Sequence, residues 1–174
     1  MRRRTVRCSV VGILLIASAL VLVTLPLACS KSTSGTSVSI SIADRNIKAG
    51  DTFSVDVRIG TNTPCRGAQF QLTFDPVLMK CESAVEGGFL KDWALAKGGS
   101  TVVIPQPTID NNQGHVSTMG IAVMGGGAGG AEGSGVLCTY QFTALADGMA
   151  EPTLSDVVLV DKSGQAIPDV EVNN

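Results

Sequence analysis

Residues 69–74, Gln-Phe-Gln-Leu-Thr-Phe, alternate polar and apolar without interruption. A repeat of two sorts an extended chain into two sides, Phe70, Leu72 and Phe74 on one and Gln69, Gln71 and Thr73 on the other; a helix of period 3.6 would mix them. The same rhythm runs through Val38–Ile42 and through 53–59, where Phe53, Val55, Val57 and Ile59 share a side. In 136–142 the apolar set is Val136, Cys138, Tyr140 and Phe142, so Leu137, Thr139 and Gln141 are expected to point out. In 116–124 Met119, Ile121 and Val123 make the better core set and leave Thr118, Ala122 and Met124 exposed. Shorter candidates lie at 84–85, 101–104 and 157–160. Turn signals separate them, among them Lys48-Ala49-Gly50-Asp51, Asp110-Asn111-Asn112-Gln113-Gly114, Ala146-Asp147-Gly148 and Asp161-Lys162-Ser163-Gly164. Half-buried antiparallel strands show this alternation. Eight or nine of them predict two packed sheets, an all-β sandwich or jelly roll. Only Phe89–Ala96 reads as a short helix.

The beginning of the chain follows different rules. Arg2, Arg3, Arg4 and Arg7 precede a continuous apolar run from Val10 to Ala28, the layout of a secretory signal over residues 1–28. Leu25-Pro26-Leu27-Ala28-Cys29 resembles a bacterial lipobox, with the small Ala28 before the cysteine and Pro26 where the pattern usually has Leu. On that reading Cys29 carries the lipid anchor and the protein is a membrane-anchored lipoprotein. An uncleaved anchor is the alternative, since about 20 apolar residues span a bilayer, and free secretion is the third. All three place the folded part outside the cytoplasm. Residues 29–37, small and polar after the cysteine, read as a flexible tether, with the domain proper at 38–174.

Charge narrows the partners. The whole chain carries 13 basic and 15 acidic residues. Without the four N-terminal arginines, nine basic face fifteen acidic residues, a net charge of −6, so no nucleic-acid surface is expected. A domain of this size buries roughly 70% of its unfolded surface and needs no covalent staples.

Cys8 lies in the signal, which leaves Cys65, Cys81 and Cys138 in an oxidising compartment. Three is odd, so at most one bridge forms. Cys65 with Cys81 is the possible disulfide, worth about 3 kcal/mol on the chain-entropy model, and strand geometry leaves the pairing open. Cys138 reads as a small buried hydrophobe. No Cys-x-x-Cys or neighbouring His points to a metal. Asp110-Asn111-Asn112 clusters oxygen ligands for calcium, but its spacing is not that of an EF-hand loop.

Three stretches together resemble the cohesin domain, the module that grips a dockerin in cellulosome scaffolds. Ala49-Gly50-Asp51-Thr52-Phe53-Ser54-Val55-Asp56-Val57 resembles the family's opening turn and second strand. Gly67-Ala68-Gln69-Phe70-Gln71-Leu72-Thr73-Phe74-Asp75-Pro76-Val77-Leu78 resembles its strand ending in Tyr/Phe-Asp-Pro-x-x-Leu. Gly135-Val136-Leu137-Cys138-Thr139-Tyr140-Gln141-Phe142-Thr143-Ala144 resembles its Gly-x-Leu-x-x-x-x-Phe strand, followed by the turn at Asp147-Gly148. The likeness covers residues 38 to about 172. It implies a nine-stranded jelly-roll sandwich whose third, fifth, sixth and eighth strands present a flat outer face to a dockerin-like protein module. With 136–142 taken as the eighth strand, the partner-binding set becomes Gln69, Gln71, Thr73, Thr118, Ala122, Met124, Leu137, Thr139 and Gln141. The implied function is non-catalytic docking of that partner, in a setting of polysaccharide degradation.

The remaining motifs are weaker. Gly125-Gly126-Gly127-Ala128-Gly129-Gly130 contains Gly-x-Gly-x-x-Gly, yet a strand and not a helix follows, so a mobile flap is expected and no nucleotide cofactor. His115, the only histidine, reads as a solvated turn residue. There is no Gly-x-Ser-x-Gly elbow and no singled-out carboxylate pair, so an enzyme is not expected. A carbohydrate-binding module of similar fold is the alternative function. With one Trp and one Tyr the chain offers few rings to stack on sugars, and Trp93 is expected to pack the helix onto the sandwich.

Overall fold

The computed structural model describes residues 35–174. The expected signal 1–28, the lipid-anchor candidate Cys29 and most of the 29–37 tether lie outside the described residues. Thr36 and Ser37 belong to the folded domain. Thr36 is buried, its hydroxyl meets that of Thr61 at 2.9 Å, and its carbonyl accepts the Glu171 N–H at 2.9 Å.

Eleven strands and one helix follow: β1 (Ser37–Ile42), β2 (Asn46–Ile47), β3 (Thr52–Thr73), β4 (Met79–Glu86), α1 (Gly88–Ala96), β5 (Ser100–Val103), β6 (Ile109–Asp110), β7 (His115–Met124), β8 (Ala131–Ala144), β9 (Gly148–Met149), β10 (Thr153–Asp161) and β11 (Glu171–Asn173). Nine strands form one continuous hydrogen-bonded sheet, and β2 pairs β9 separately. The nine-stranded all-β sandwich with one short helix is thus present.

The continuity comes from β3, whose 22 residues serve both layers. Its first part pairs β1 on one side and β8 on the other, and β8 continues to β4. Its second part pairs β10 and β7, and β7 continues to β5 and β6. The layers are therefore β11–β1–β3–β8–β4 and β10–β3–β7–β5. The changeover is visible in parity. Val55, Val57 and Ile59 are buried in the first part, Ala68, Phe70 and Leu72 in the second, so the inward set switches from odd to even numbers. Between them the pairing with β8 shifts from Thr61 to Cys65, where the chain turns the corner.

Between the layers lie the fully buried Tyr140, Phe70, Phe142 and Leu72. Phe142 meets Phe74 edge-on at 5.1 Å and stacks on Phe53 at 5.7 Å. Each such ring withdrawn from water contributes roughly 2–3 kcal/mol. Burial pushes the pKa of the Tyr140 hydroxyl far up, and its polar neighbour is the weakly bonding Cys138 thiol. The helix α1 buries Leu90 and Ala94 against this core, and Trp93 packs at its border, as expected.

The Cys65–Cys81 bridge does not form. Both thiols are free and buried, as is Cys138. Cys65 stands across from Ala131 and Cys81 across from Phe142, at opposite ends of β8. At about 3.3 Å per residue these ends are on the order of 30 Å apart, far beyond the roughly 6 Å that a disulfide spans between α-carbons. Burial pushes the Cys81 thiol up to about 11 and the Cys138 thiol up to about 12.

Candidate functional site

The outer face of the β10–β3–β7–β5 layer gathers most of the expected partner-binding residues. Gln69, Gln71 and Thr73 project from β3, and Thr118, Ala122 and Met124 from β7. Register brings them together: Gln69 stands opposite Gly120, Gly67 opposite Ala122, and Met124 opposite Ser100 of β5. A bulge sets two residues of β7, Ser117 and Thr118, against the single Gln71. The Gln71 amide donates to the Thr118 hydroxyl at 2.9 Å, and its carbonyl oxygen meets His115 Nε2 at 3.2 Å. Thr73 and Thr153 hydroxyls lie 2.6 Å apart. His115 is thus a half-buried strand residue held by an amide, not a solvated turn residue.

The other three expected residues lie elsewhere. Thr139 and Gln141 sit on β8, whose neighbours are the first part of β3 and β4, so they belong to the opposite layer. There Thr139 donates to Asp56 at 2.7 Å, and Gln141 and Ser54 bond each other at 3.0 Å. Leu137 is buried, 1% exposed. Val57 faces Cys138 and Arg58 faces Val136, so Leu137 is the extra residue of a bulge and turns inward. The place in this layer expected of 136–142 is taken by β10, where Thr153, Ser155, Val158 and Val160 face Thr73, Gln71, Gln69 and Gly67.

At the end of the face near the β3 corner the surface dips into an open groove of about 420 Å³. Gly67, Gly120, Ala122, Val158, Val160 and Ile104 line it, and Arg66, Asp161 and Lys162 stand together where Asp161 of β10 pairs with Cys65 of β3. Gly120 explains part of its shape. A β-carbon there would collide with the Ile104 carbonyl and the Pro105 ring. The glycine lets the chain after β5 lie flat on β7, with Ile104 N–H donating to the Gly120 carbonyl at 2.8 Å. Ile104 is left 70% exposed and Val158 39%.

The glycine run 125–130 borders the groove and is pinned, contrary to the expected mobile flap. The Arg66 guanidinium donates to the Gly127 carbonyl at 2.7 Å, to that of Gly129 at 3.3 Å, and to that of Gly125. Its carbon lies 5.4 Å from the Trp93 ring centre. Gly125, Gly126, Gly127 and Gly129 all have positive φ, which aims alternate carbonyls at one cation. Position 126 crowds the same indole, a β-carbon there falling 3.4 Å from the ring.

The Asp110–Asn112 oxygens are committed to the chain itself. Asp110 accepts the Asn112 and Gln113 N–H groups at 2.9 and 3.1 Å. The Asn111 amide brackets Cys81, accepting its N–H at 2.8 Å and donating to its carbonyl at 3.0 Å, and so covers the free edge of β4. Among the described residues no cluster of three or more His, Cys, Asp or Glu is placed to hold a metal ion.

No family model matches the sequence, and no curated protein matches it. The fold is similar to that of a type II cohesin domain from the cellulosome of Acetivibrio cellulolyticus, with a TM-score of 0.62 and 16% identity over 80% of this chain and 92% of that one. It is similar to a non-cellulosomal cohesin from the hyperthermophilic archaeon Archaeoglobus fulgidus, with a TM-score of 0.60 and 16% identity over 80% and 87%. The third cohesin ScaC in complex with the ScaB dockerin, again from Acetivibrio cellulolyticus, gives a TM-score of 0.60 and 19% identity over 79% and 94%. At these identities the likeness is one of fold: the chain folds as cohesin domains do.

Proposed function

We propose that this cohesin-like domain is a non-catalytic, extracytoplasmic module that docks a dockerin-type protein through the outer face of its β10–β3–β7–β5 layer. The observation that carries the reading is that face. Its β3 and β7 strands offer Gln69, Gln71, Thr73 and Thr118 as uncharged hydrogen-bonding groups beside an apolar groove, on a fold whose solved counterparts include cohesins in complex with dockerins. Protein–protein interfaces combine apolar area with uncharged hydrogen-bonding groups, and this face offers the two side by side. In this reading an N-terminal lipid on Cys29, or an uncleaved signal anchor, holds the domain at the cell surface, and the partner belongs to a polysaccharide-degrading assembly.

Two observations weigh against the rival functions. Trp93, the ring most suited to stack on a sugar, has Arg66 over it and Gly126 and Gly129 against it. His115 contacts the Gln71 amide, with no nucleophile or carboxylate in hydrogen-bond reach, so a triad has no starting point.

Calorimetry against a panel of dockerins in calcium tests the reading. Binding to at least one member is expected, abolished by Ala122→Arg. No binding across the panel, together with retention on cellulose, xylan or chitin, overturns it.

A further inference from the structure

Among the described residues no carboxylate lies within ion-pair distance of Arg66. Its five N–H donors meet only the three neutral glycine carbonyls, which leaves two donors free. Among the described residues the one ion pair joins Lys80 to Glu82, far from this end of the molecule. The neighbouring Lys162 is exposed and likewise unpaired. Asp161, the one carboxylate beside them, is turned back into its own loop, where a single oxygen accepts the Ser163 and Gln165 N–H groups at 2.7 and 2.9 Å. A domain with fifteen acidic and nine basic residues beyond position 28 thus sets two cations and the single loop-bound carboxylate of Asp161 at one end of its apolar groove, a local excess of one positive charge.

Carbonyl oxygens fix a guanidinium in place but do not neutralise it. A carboxylate does, and charge-assisted hydrogen bonds are roughly twice as strong as neutral ones. Because the glycine loop and the Trp93 ring already hold Arg66, an arriving anion orders no loose side chain, so little conformational entropy is lost. Resting on the docking reading above, we infer that the groove takes an aliphatic side chain of the partner, seated among Ala122, Val158 and Ile104, with an adjacent Asp or Glu received by Arg66 and Lys162. Charge complementarity selects the acidic neighbour; Ala122, Val158 and Ile104 select the apolar one.

Panning a random-peptide phage library on the domain tests this without a known partner. The enriched peptides should share an Asp or Glu next to an aliphatic residue. Changing that acid to its amide should weaken binding about tenfold, and the loss should shrink to about twofold on Arg66→Gln and on Lys162→Gln backgrounds. Lys162→Gln leaves the glycine loop untouched, so it reports on charge even if Arg66→Gln disturbs the loop. Peptides displaced by Ala122→Arg but indifferent to their acid would overturn the anion anchor and leave the docking face standing. Acid-dependent peptides indifferent to Ala122→Arg would keep the anchor and overturn the face. A library that enriches nothing, or an acid whose loss costs the same on all backgrounds, overturns the inference.

Discussion

The two outer faces of the sandwich are built from the same kinds of residue and end up with opposite characters. On the β11–β1–β3–β8–β4 side the polar groups answer one another: Asp56 with Thr139, Ser54 with Gln141, Glu82 with both Thr143 and Lys80. On the β10–β3–β7–β5 side the pairing covers only the end near Thr73. The other end is a groove of small and aliphatic residues with two unpaired cations beside the loop-bound Asp161. Composition therefore does not distinguish the two faces; the distinction lies in which side chains find partners within their own sheet.

The sharpest way to break this comparison is to put one bulky cation on each face. Ala122→Arg should weaken partner binding by more than 100-fold, with the melting temperature nearly unchanged, while Thr139→Arg should leave binding as it is; equal losses in calorimetry would erase the distinction. Gly120→Val comes next. It forces a side chain into the Ile104 carbonyl, should cost about 3 kcal/mol in denaturant unfolding, and should remove the groove with it.

The shared core gives a control that spares both faces. Burial raises the Cys138 thiol to about 12, so the folded state keeps a proton that the unfolded chain releases near pH 9. Its contribution is complete below about pH 9 and is lost as pH rises toward 12, roughly 3 kcal/mol by pH 11; chemical unfolding at a series of alkaline pH values measures it. Iodoacetamide mapping should find Cys65, Cys81 and Cys138 unlabelled until denaturant is added. The smallest effect belongs to the self-paired face. Asp56→Ala removes one hydrogen bond there and should cost about 1 kcal/mol without touching affinity.

Much of this was legible in the residues. Alternation placed Gln69, Gln71 and Thr73 outward and Phe70, Leu72 and Phe74 inward, and the fold class followed from it. What alternation does not contain is the identity of the neighbouring strand. Residues 136–142 show a clean repeat whichever layer they join, so alternation alone does not assign Thr139 and Gln141 to a layer. Bulges hid the rest. Leu137 is inward because one residue is inserted against Val57 and Arg58. The true face strand, β10, has its repeat broken between Ser155 and Val158, around Asp156 with φ of 51°. The adjacent pair Val157-Val158 was the available signal: two neighbouring apolar residues in a strand cannot both face a core unless one sits at a bulge. Nothing local marked Arg66, whose role depends on carbonyls some sixty positions away.

Because β3 is shared by both layers, neither half of this domain is a separable piece. A sandwich whose sheets meet only through side chains can shed one while keeping the other; here the covalent chain itself passes from hydrogen bonds with β1 and β8 to hydrogen bonds with β7 and β10. Amide protons of the two layers should accordingly exchange as a single cooperative block, and a partner pulling on the groove loads the strand that continues into the opposite wall.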